Sequence, residues 1–208
     1  MGMTPGAVIQ SFASPGNAPQ SLVYDGRTLW NIDSGTHRIY QINPNTGQII
    51  RSFASPATGD RGLGFDGRTL WHCDNGTDLI YQINPVTGVI IRSFAAPAND
   101  GNGLAWDGRT LWYCDATANQ FHLIDLVTGK SKYNLAGPAG GCRGLAFDGR
   151  TVWTVNSNTN LIYQIHPVTG KVIRSFAAPS NATRGIAFDG RTLWIADQTT
   201  HLIYQIAV

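Results

Sequence analysis

The hydrophobic and polar positions of this chain follow one pattern that repeats every 41 residues. Each repeat contains four short apolar runs separated by polar turns, and the hexapeptide DGRTLW, once DGRTVW, occurs at the same position five times. Its aspartates are Asp25, Asp66, Asp107, Asp148 and Asp189. A fixed period of roughly 20 to 50 residues is typical of a repeat architecture. We therefore interpret each residue first by its position in the repeat.

The second repeat shows the predicted elements clearly. Its apolar runs are RGLGF, TLWHC, LIYQI and VIIRSF, which we name strands A, B, C and D. Asp66-Gly67 predicts a hairpin between A and B, because glycine accepts the positive φ of tight turns. The segment Pro85-Val86-Thr87-Gly88 predicts the turn between C and D. Four antiparallel strands in about 40 residues are typical of a propeller blade, so the sequence predicts an all-β, five-bladed β-propeller.

The two ends of the chain predict how the ring closes. Residues 4–208 contain five full periods, and the N-terminal segment AVIQSF is in phase with strand D of the other repeats. We expect this strand to complete the C-terminal blade, which removes an open sheet edge. Residues 1–208 then form one domain, with blades at about 17–57, 58–98, 99–139, 140–180 and 181–208, the last completed by 4–16.

Composition limits the choice of partners. The chain has 208 residues, 15 basic and 13 acidic side chains and a formal charge of +2, too weak to favour nucleic acid or a membrane surface. We expect a monomer that binds a small molecule, a glycan or a protein. The N-terminus lacks the pattern of a signal peptide, which leaves the localisation unknown. Cys73, Cys114 and Cys142 have no metal-binding spacing, and we expect them to be buried thiols.

The rim formed by the D–A and B–C loops is where the repeats differ, and variable loops on a rigid scaffold often bind ligands. We name it the variable rim, and the opposite rim, with the A–B and C–D turns, the turn rim. Two repeat positions supply its candidate ligand-binding residues. Strand A begins with Gln20, Arg61, Asn102, Arg143 and Arg184, and strand B ends with Asp33, Asp74, Asp115, Asn156 and Asp197.

These two positions have two interpretations. If they face each other across the A–B pair, Arg61 meets Asp74 and Arg184 meets Asp197 in ion pairs, while the aspartates open Asx turns. Alternatively, the arginines and amides form a polar funnel over the channel that suits an anionic or hydroxyl-rich ligand. A Ca²⁺ site made by the Asp and Asn ring is less favoured, since adjacent arginines repel a cation.

Catalytic chemistry is not marked out by the sequence. The histidines His37, His72, His122, His166 and His201 form no consistent cluster, and we interpret them as exposed or capping residues. No nucleophile, metal-protease or phosphate-loop motif occurs. We therefore predict no catalytic residue, no metal and no cofactor. The arginines of the DGR turns are interpreted as turn residues rather than as an anion-binding ring.

The motifs DGRTLW, LIYQINPVTG and VIIRSFAAP resemble bacterial β-propeller repeats of the NHL/YVTN and virginiamycin B lyase types, and the five-blade pattern with GL-x-F-DG resembles the glutamine cyclotransferase propellers. That resemblance implies the propeller fold across the whole chain. It also implies glutamates near the start of strand A for cyclotransferase activity, and a His and Glu metal site for lyase activity. This chain contains no glutamate.

Three hypotheses for function follow. The one we favour is a non-catalytic binding or scaffold propeller with its ligand at the variable rim, over the central channel. The second is an enzyme of the cyclotransferase or lyase type. The third is a recently amplified or engineered symmetric ring without a selected ligand.

Overall fold

The computed structural model describes residues 3–208, and these residues form 20 β-strands in five four-stranded antiparallel sheets. The first blade contains β2 (Pro19–Tyr24), β3 (Leu29–Asp33), β4 (Arg38–Ile42) and β5 (Ile49–Ala54). The second contains β6 (Asp60–Phe65), β7 (Leu70–Asp74), β8 (Leu79–Ile83) and β9 (Ile90–Ala95). The third contains β10 (Gly101–Trp106), β11 (Leu111–Asp115), β12 (Gln120–Ile124) and β13 (Ser131–Ala136).

The last two blades complete the ring. The fourth contains β14 (Cys142–Phe147), β15 (Val152–Asn156), β16 (Leu161–Ile165) and β17 (Val172–Ala177). The fifth contains β18 (Thr183–Phe188), β19 (Leu193–Asp197) and β20 (Leu202–Ile206), and its outer strand is β1 (Val8–Ala13). The pairing of β1 with β20 confirms the predicted closure. No helix that could cross a membrane is present between residues 3 and 208.

The core lies between neighbouring sheets. Trp71 is fully buried and packs with Leu104 and Leu111 of the next blade, while Leu63 packs against Trp30 of the preceding blade. Both faces of each sheet are apolar for this reason, as the repeat pattern predicts. Cys73, Cys114 and Cys142 are free and buried, which confirms their interpretation as core thiols. Burial raises the pKa of the Cys73 thiol to about 12, so it stays protonated.

The inner strands approach one another very closely around the channel. A Cβ atom added to Gly62 would lie 2.8 Å from the backbone of Gly103, and one added to Gly103 would lie 2.8 Å from the backbone of Leu145. Glycine is therefore required where these strands touch. The channel is narrow, and at the turn rim a cavity of about 70 Å³ is lined by an aromatic residue from each blade, namely Tyr24, Phe65, Trp106, Phe147 and Phe188.

A β-bulge near the start of strand A corrects the predicted register. Gly64 pairs with Trp71 as expected, but Asp60 rather than Arg61 pairs with Asp74. The same irregularity occurs in the other blades, where Pro19, Gly101, Cys142 and Thr183 face the last residue of strand B. The prediction that Arg61 faces Asp74 and Arg184 faces Asp197 is therefore wrong by one residue, because a bulge adds one residue to one strand of the pair.

Candidate functional site at the mouth of the channel

The arginines at the start of strand A make no ion pairs. Between residues 3 and 208, no carboxylate lies within ion-pair distance of Arg61, Arg143 or Arg184. Arg184 Nε donates to Gln198 Oε1 at 2.8 Å, and Arg143 Nε donates to Ser157 Oγ at 3.1 Å. The bulge explains this pattern, since it places the strand-A side chain beside the residue that follows the aspartate.

The three guanidinium groups are close enough to influence one another. Burial and the positive charges of Arg143 and Arg61 lower the pKa of Arg184, and the Asp197 carboxylate opposes this shift only in part. Arg61 and Arg184 belong to the second and fifth blades, which are not neighbours in the ring, so this repulsion acts across the channel. All three side chains are half-buried. Three arginines from three different blades therefore stand at the variable rim, with Asp197 opposing their effect on Arg184.

The two amides of the same repeat position stand beside the arginines. Asn102 is buried, accepts a hydrogen bond from Arg143 Nη1 at 3.2 Å and donates to Asp100 Oδ1 at 2.9 Å. Gln20 Nε2 donates to Ser34 Oγ at 2.8 Å. Asn102 therefore holds the Arg143 guanidinium in place, and Gln20 shows that the position accepts a neutral side chain without loss of its local hydrogen bond.

The five residues at the end of strand B are buried and hold the loops together. Asp33 Oδ1 accepts hydrogen bonds from Gly35 N at 3.1 Å and Thr36 N at 2.9 Å, which is the predicted Asx turn, and its Oδ2 accepts from Ala18 N at 2.7 Å. Burial favours a raised pKa for Asp197, but hydrogen bonds from Ser180 and Thr200 outweigh it and lower the pKa. The five buried residues at the end of strand B are Asp33, Asp74, Asp115, Asn156 and Asp197.

A second group of polar side chains lies near the same rim, inside the protein. Asp60, His72 and Asp74 are all buried and present three ligand atoms within 4.8 Å of one another, an arrangement that can hold a metal ion. Sequence reasoning missed this group, and interpreting His72 as exposed or capping is wrong, because its side chain has no solvent exposure. The repeat pattern gave no signal for it, because the positions of Asp60 and His72 carry a different residue in every repeat.

A cleft of about 490 Å³ lies on the outer surface of the ring, beside the divergent strands of the third repeat. It is lined by His122, Lys130, Lys132 and Tyr133 together with the connector Ala95-Ala96-Pro97. Its lining comes from the second and third blades, whereas the arginines come from three blades. The mouth of the channel remains the better candidate site.

Comparison with known proteins supports the fold. No protein-family model matches the chain, and no curated protein sequence matches it. Glutaminyl cyclase from Myxococcus xanthus superposes with a TM-score of 0.84 at 14% identity, covering 96% of this chain and 94% of that one. Virginiamycin B lyase from Staphylococcus aureus superposes with a TM-score of 0.56 at 21% identity, covering 95% and 68%.

At these identities the similarity concerns the fold alone. It agrees with the five four-stranded sheets of this chain. The chain is therefore a five-bladed β-propeller, similar in fold to glutaminyl cyclase and, over 68% of that protein, to virginiamycin B lyase.

Proposed function

We propose that this protein is a non-catalytic binding propeller that takes an anionic ligand at the variable-rim mouth of its channel. One observation supports the proposal most strongly. Arg61, Arg143 and Arg184 occupy the same position in three different blades, and none of them has a carboxylate within ion-pair distance among residues 3–208. Half-buried like charges repel one another, and an anion bound among them removes that repulsion.

The chemistry of the ligand follows from the guanidinium group. Arginine presents planar pairs of N–H donors that match carboxylate and phosphate groups, and such charge-assisted bonds are among the strong ones. Arg184 uses Nε for a protein contact and Arg143 uses Nε and Nη1, which leaves Nη2 of Arg143 and both terminal nitrogens of Arg184 for the ligand. We therefore expect a ligand with at least one carboxylate, phosphate or sulfate group.

The shape of the channel sets how deep the ligand goes. The glycine ring at Gly62 and Gly103 brings the inner strands into backbone contact, and the turn-rim end is lined by aromatic side chains. No positively charged side chain lines that cavity within residues 3–208, so an anionic group is not neutralised there. The ligand therefore binds at the mouth and extends outward over the loops of the variable rim, where the repeats differ.

A titration with simple anions tests this proposal. Citrate, phosphate and sulfate are added to the protein at low ionic strength, and binding is measured by calorimetry and by the rise in melting temperature. Arg184→Gln introduces the residue that blade one carries at this position, Gln20. We expect it to weaken citrate binding at least about tenfold, the effect of losing one charge-assisted hydrogen bond of about 1.5 kcal/mol.

Arg150→Gln is the matched control, because it removes one positive charge from an exposed arginine of the turn rim. It should leave the affinity within about twofold at moderate salt, where distant charges are screened. Equal losses in the two variants would mean that binding depends on net charge alone, and the proposed site would be wrong. The absence of any anion effect on the unmodified protein would also refute it.

An enzymatic function is the second candidate, supported by the near-complete overlap with glutaminyl cyclase in both chains. In that case the same mouth would hold the reacting group, with an aspartate such as Asp100 in place of the missing glutamates. Ammonia release from a peptide with an N-terminal glutamine measures this activity directly. Turnover that Asp100→Asn abolishes would favour the enzyme, and no turnover would favour the binding protein.

A further inference from the structure

Three ligand atoms meet in the interior between the first and second blades. His72 Nε2 lies 3.7 Å from Asp60 Oδ1 and 3.8 Å from Asp74 Oδ2. The side chains of all three residues are completely buried. Each of these three atoms lacks a hydrogen-bond partner within residues 3–208. Buried polar atoms without partners are unusual, and here three of them point at one place.

The remaining polar atom of each side chain is already bound. His72 Nδ1 lies 3.2 Å from the carbonyl oxygen of Gly62, and Asp60 Oδ2 lies 2.7 Å from His37 Nδ1. Asp74 Oδ1 accepts hydrogen bonds from Gly76 N at 3.0 Å and Thr77 N at 2.8 Å. All three side chains are thus fixed in orientation, with one free atom each.

These contacts determine what the free atoms need. A carbonyl oxygen only accepts, so His72 Nδ1 carries the hydrogen, and in the neutral ring Nε2 presents a lone pair to two carboxylate oxygens. Distances of 3.7 and 3.8 Å are too long for hydrogen bonds. Buried carboxylates that face a lone pair are strongly unfavourable without a cation between them. The distances suit ligands arranged around one ion instead.

We propose that Asp60, His72 and Asp74 form a structural site for a divalent transition-metal ion, Zn²⁺ in the first instance. One imidazole nitrogen and two carboxylate oxygens are ligands that Zn²⁺ accepts. A metal-binding histidine typically donates its other ring N–H to a carbonyl or carboxylate, as His72 does to Gly62. His37 has the same supporting role toward Asp60, because it holds the oxygen that does not face the ion.

The harder cations fit this site poorly. Ca²⁺ takes about six to eight oxygen ligands, and Mg²⁺ keeps several waters in its coordination shell. Three fully buried side chains, one of them an imidazole, supply fewer oxygens than these ions take. The ligand types and the burial of the site therefore favour Zn²⁺ over Ca²⁺ and Mg²⁺.

Only the second blade carries this site. The position of Asp60 is occupied in the other repeats by Pro19, Gly101, Cys142 and Thr183, and the position of His72 by Asn31, Tyr113, Thr154 and Ile195. Two departures from the repeat in one blade bring their side chains to one point. In the first blade, asparagine occupies the position of His72 within the same fold. Asn31 Nδ2 donates to the Ser21 carbonyl at 2.9 Å. His72→Asn therefore keeps the hydrogen bond to Gly62 and removes the metal ligand.

The test uses the full chain without an affinity tag, freed of metal by dialysis against a chelator. Zinc chloride is titrated by calorimetry, metal content is measured by mass spectrometry, and melting is followed with and without zinc. We expect one bound zinc per chain and a higher melting temperature with zinc. His72→Asn and Asp60→Asn should each lower the affinity at least about 100-fold, the upper range for disturbing a supporting residue.

His166→Asn is the matched control, because His166 lies in an exposed turn whose equivalents are Asn43 and Asn84. It should bind zinc as the unmodified protein does. Zinc binding that survives both His72→Asn and Asp60→Asn, or that falls equally in His166→Asn, would overturn the proposal. So would an unmodified protein that takes up no zinc, or one in which Ca²⁺ displaces zinc at equal concentration.

Discussion

The two rims of the propeller use the same scaffold in opposite ways. At the turn rim, Asp66 Oδ2 accepts hydrogen bonds from Trp71 Nε1 at 2.8 Å and Thr69 Oγ1 at 2.7 Å, and the Asp to Trp bond occurs in all five blades. At the variable rim, Arg61, Arg143 and Arg184 have no ionic partner within residues 3–208. Polar groups that each repeat satisfies by itself serve stability, whereas the arginines without an ionic partner are the groups on which our proposed ligand site depends.

The third blade shows which part of the turn-rim network is essential. In the second blade, Gln82 Nε2 donates to Thr69 Oγ1 at 2.9 Å, but the equivalent of Gln82 in the third blade is Leu123. The bond from Trp112 Nε1 to Asp107 Oδ2 is kept at 2.8 Å. The aspartate and tryptophan therefore form the core of the turn, and the glutamine supports it.

Opening the ring should disturb both rims together, and it is the largest effect we expect. Deleting residues 1–13 removes β1, which pairs with β20, and Phe12, whose ring centroid lies 5.8 Å from that of Trp194. The loss should be about 3 to 5 kcal/mol, as for truncating a core aromatic. That corresponds to a melting temperature lower by about 6 to 20 °C. Deleting only residues 1–3 is the control, and equal melting of the two truncated forms would contradict the closure.

The same substitution placed at each rim compares the two directly. Asp66→Asn keeps an oxygen for the backbone N–H groups of Arg68 and Thr69 but turns an NH₂ group toward Trp71 Nε1. The tryptophan donor loses its acceptor, which should cost about 2 kcal/mol in the free energy of unfolding. An unchanged free energy of unfolding for Asp66→Asn in chemical denaturation would contradict this expectation.

Asp78→Asn is the matched change at the variable rim. Asp78 has a φ of 55°, and Asn119 and Asn160 occupy the same position with φ values of 54° and 55°. Asparagine tolerates this left-handed conformation well. We expect a free energy of unfolding within about 0.5 kcal/mol of the unmodified protein. A loss as large as that of Asp66→Asn would show that both rims depend equally on their aspartates.

Acid should weaken the turn rim in a defined direction. Burial favours a raised pKa for Asp66, but hydrogen bonds from Thr69, Trp71 and Arg68 outweigh it and lower the pKa, as in Asp25, Asp148 and Asp189. A lowered carboxyl pKa stabilises the fold above the unfolded value of about 3.9, and this contribution is lost as the pH falls through the folded pKa.

Denaturation at several pH values measures this effect. The difference in stability between the unmodified protein and Asp66→Asn should stay constant from about pH 8 to pH 5 and shrink below about pH 4. Asp78→Asn serves again as the control. A difference that grows in acid would mean that the pKa of Asp66 is raised rather than lowered.

Sequence alone predicted the blades, the closure and the role of DGRTLW, because each of these depends on a pattern repeated five times. It failed at Arg61 and Asp74, since a single bulge residue shifts the pairing and no residue type marks the bulge. Asp60 and His72 were missed for the same reason. They are two residues from different strands that become neighbours only through the register and the packing of the first blade against the second.

The smallest effect we expect concerns the stability of the variable rim itself. Arg184→Gln removes a half-buried charge that Arg143 and Arg61 repel, but it also replaces the charge-assisted bond from Arg184 Nε to Gln198 with a weaker neutral one of the kind that Gln20 makes. These contributions oppose each other, so the change should lie within about 0.5 kcal/mol. The salt concentration distinguishes the two contributions, because salt screens the charge repulsion and leaves the hydrogen bond almost unchanged. The variant should therefore be relatively more stable at low salt, and a stability difference that is the same at about 0.01 M and 1 M salt would show that the three arginines do not repel one another.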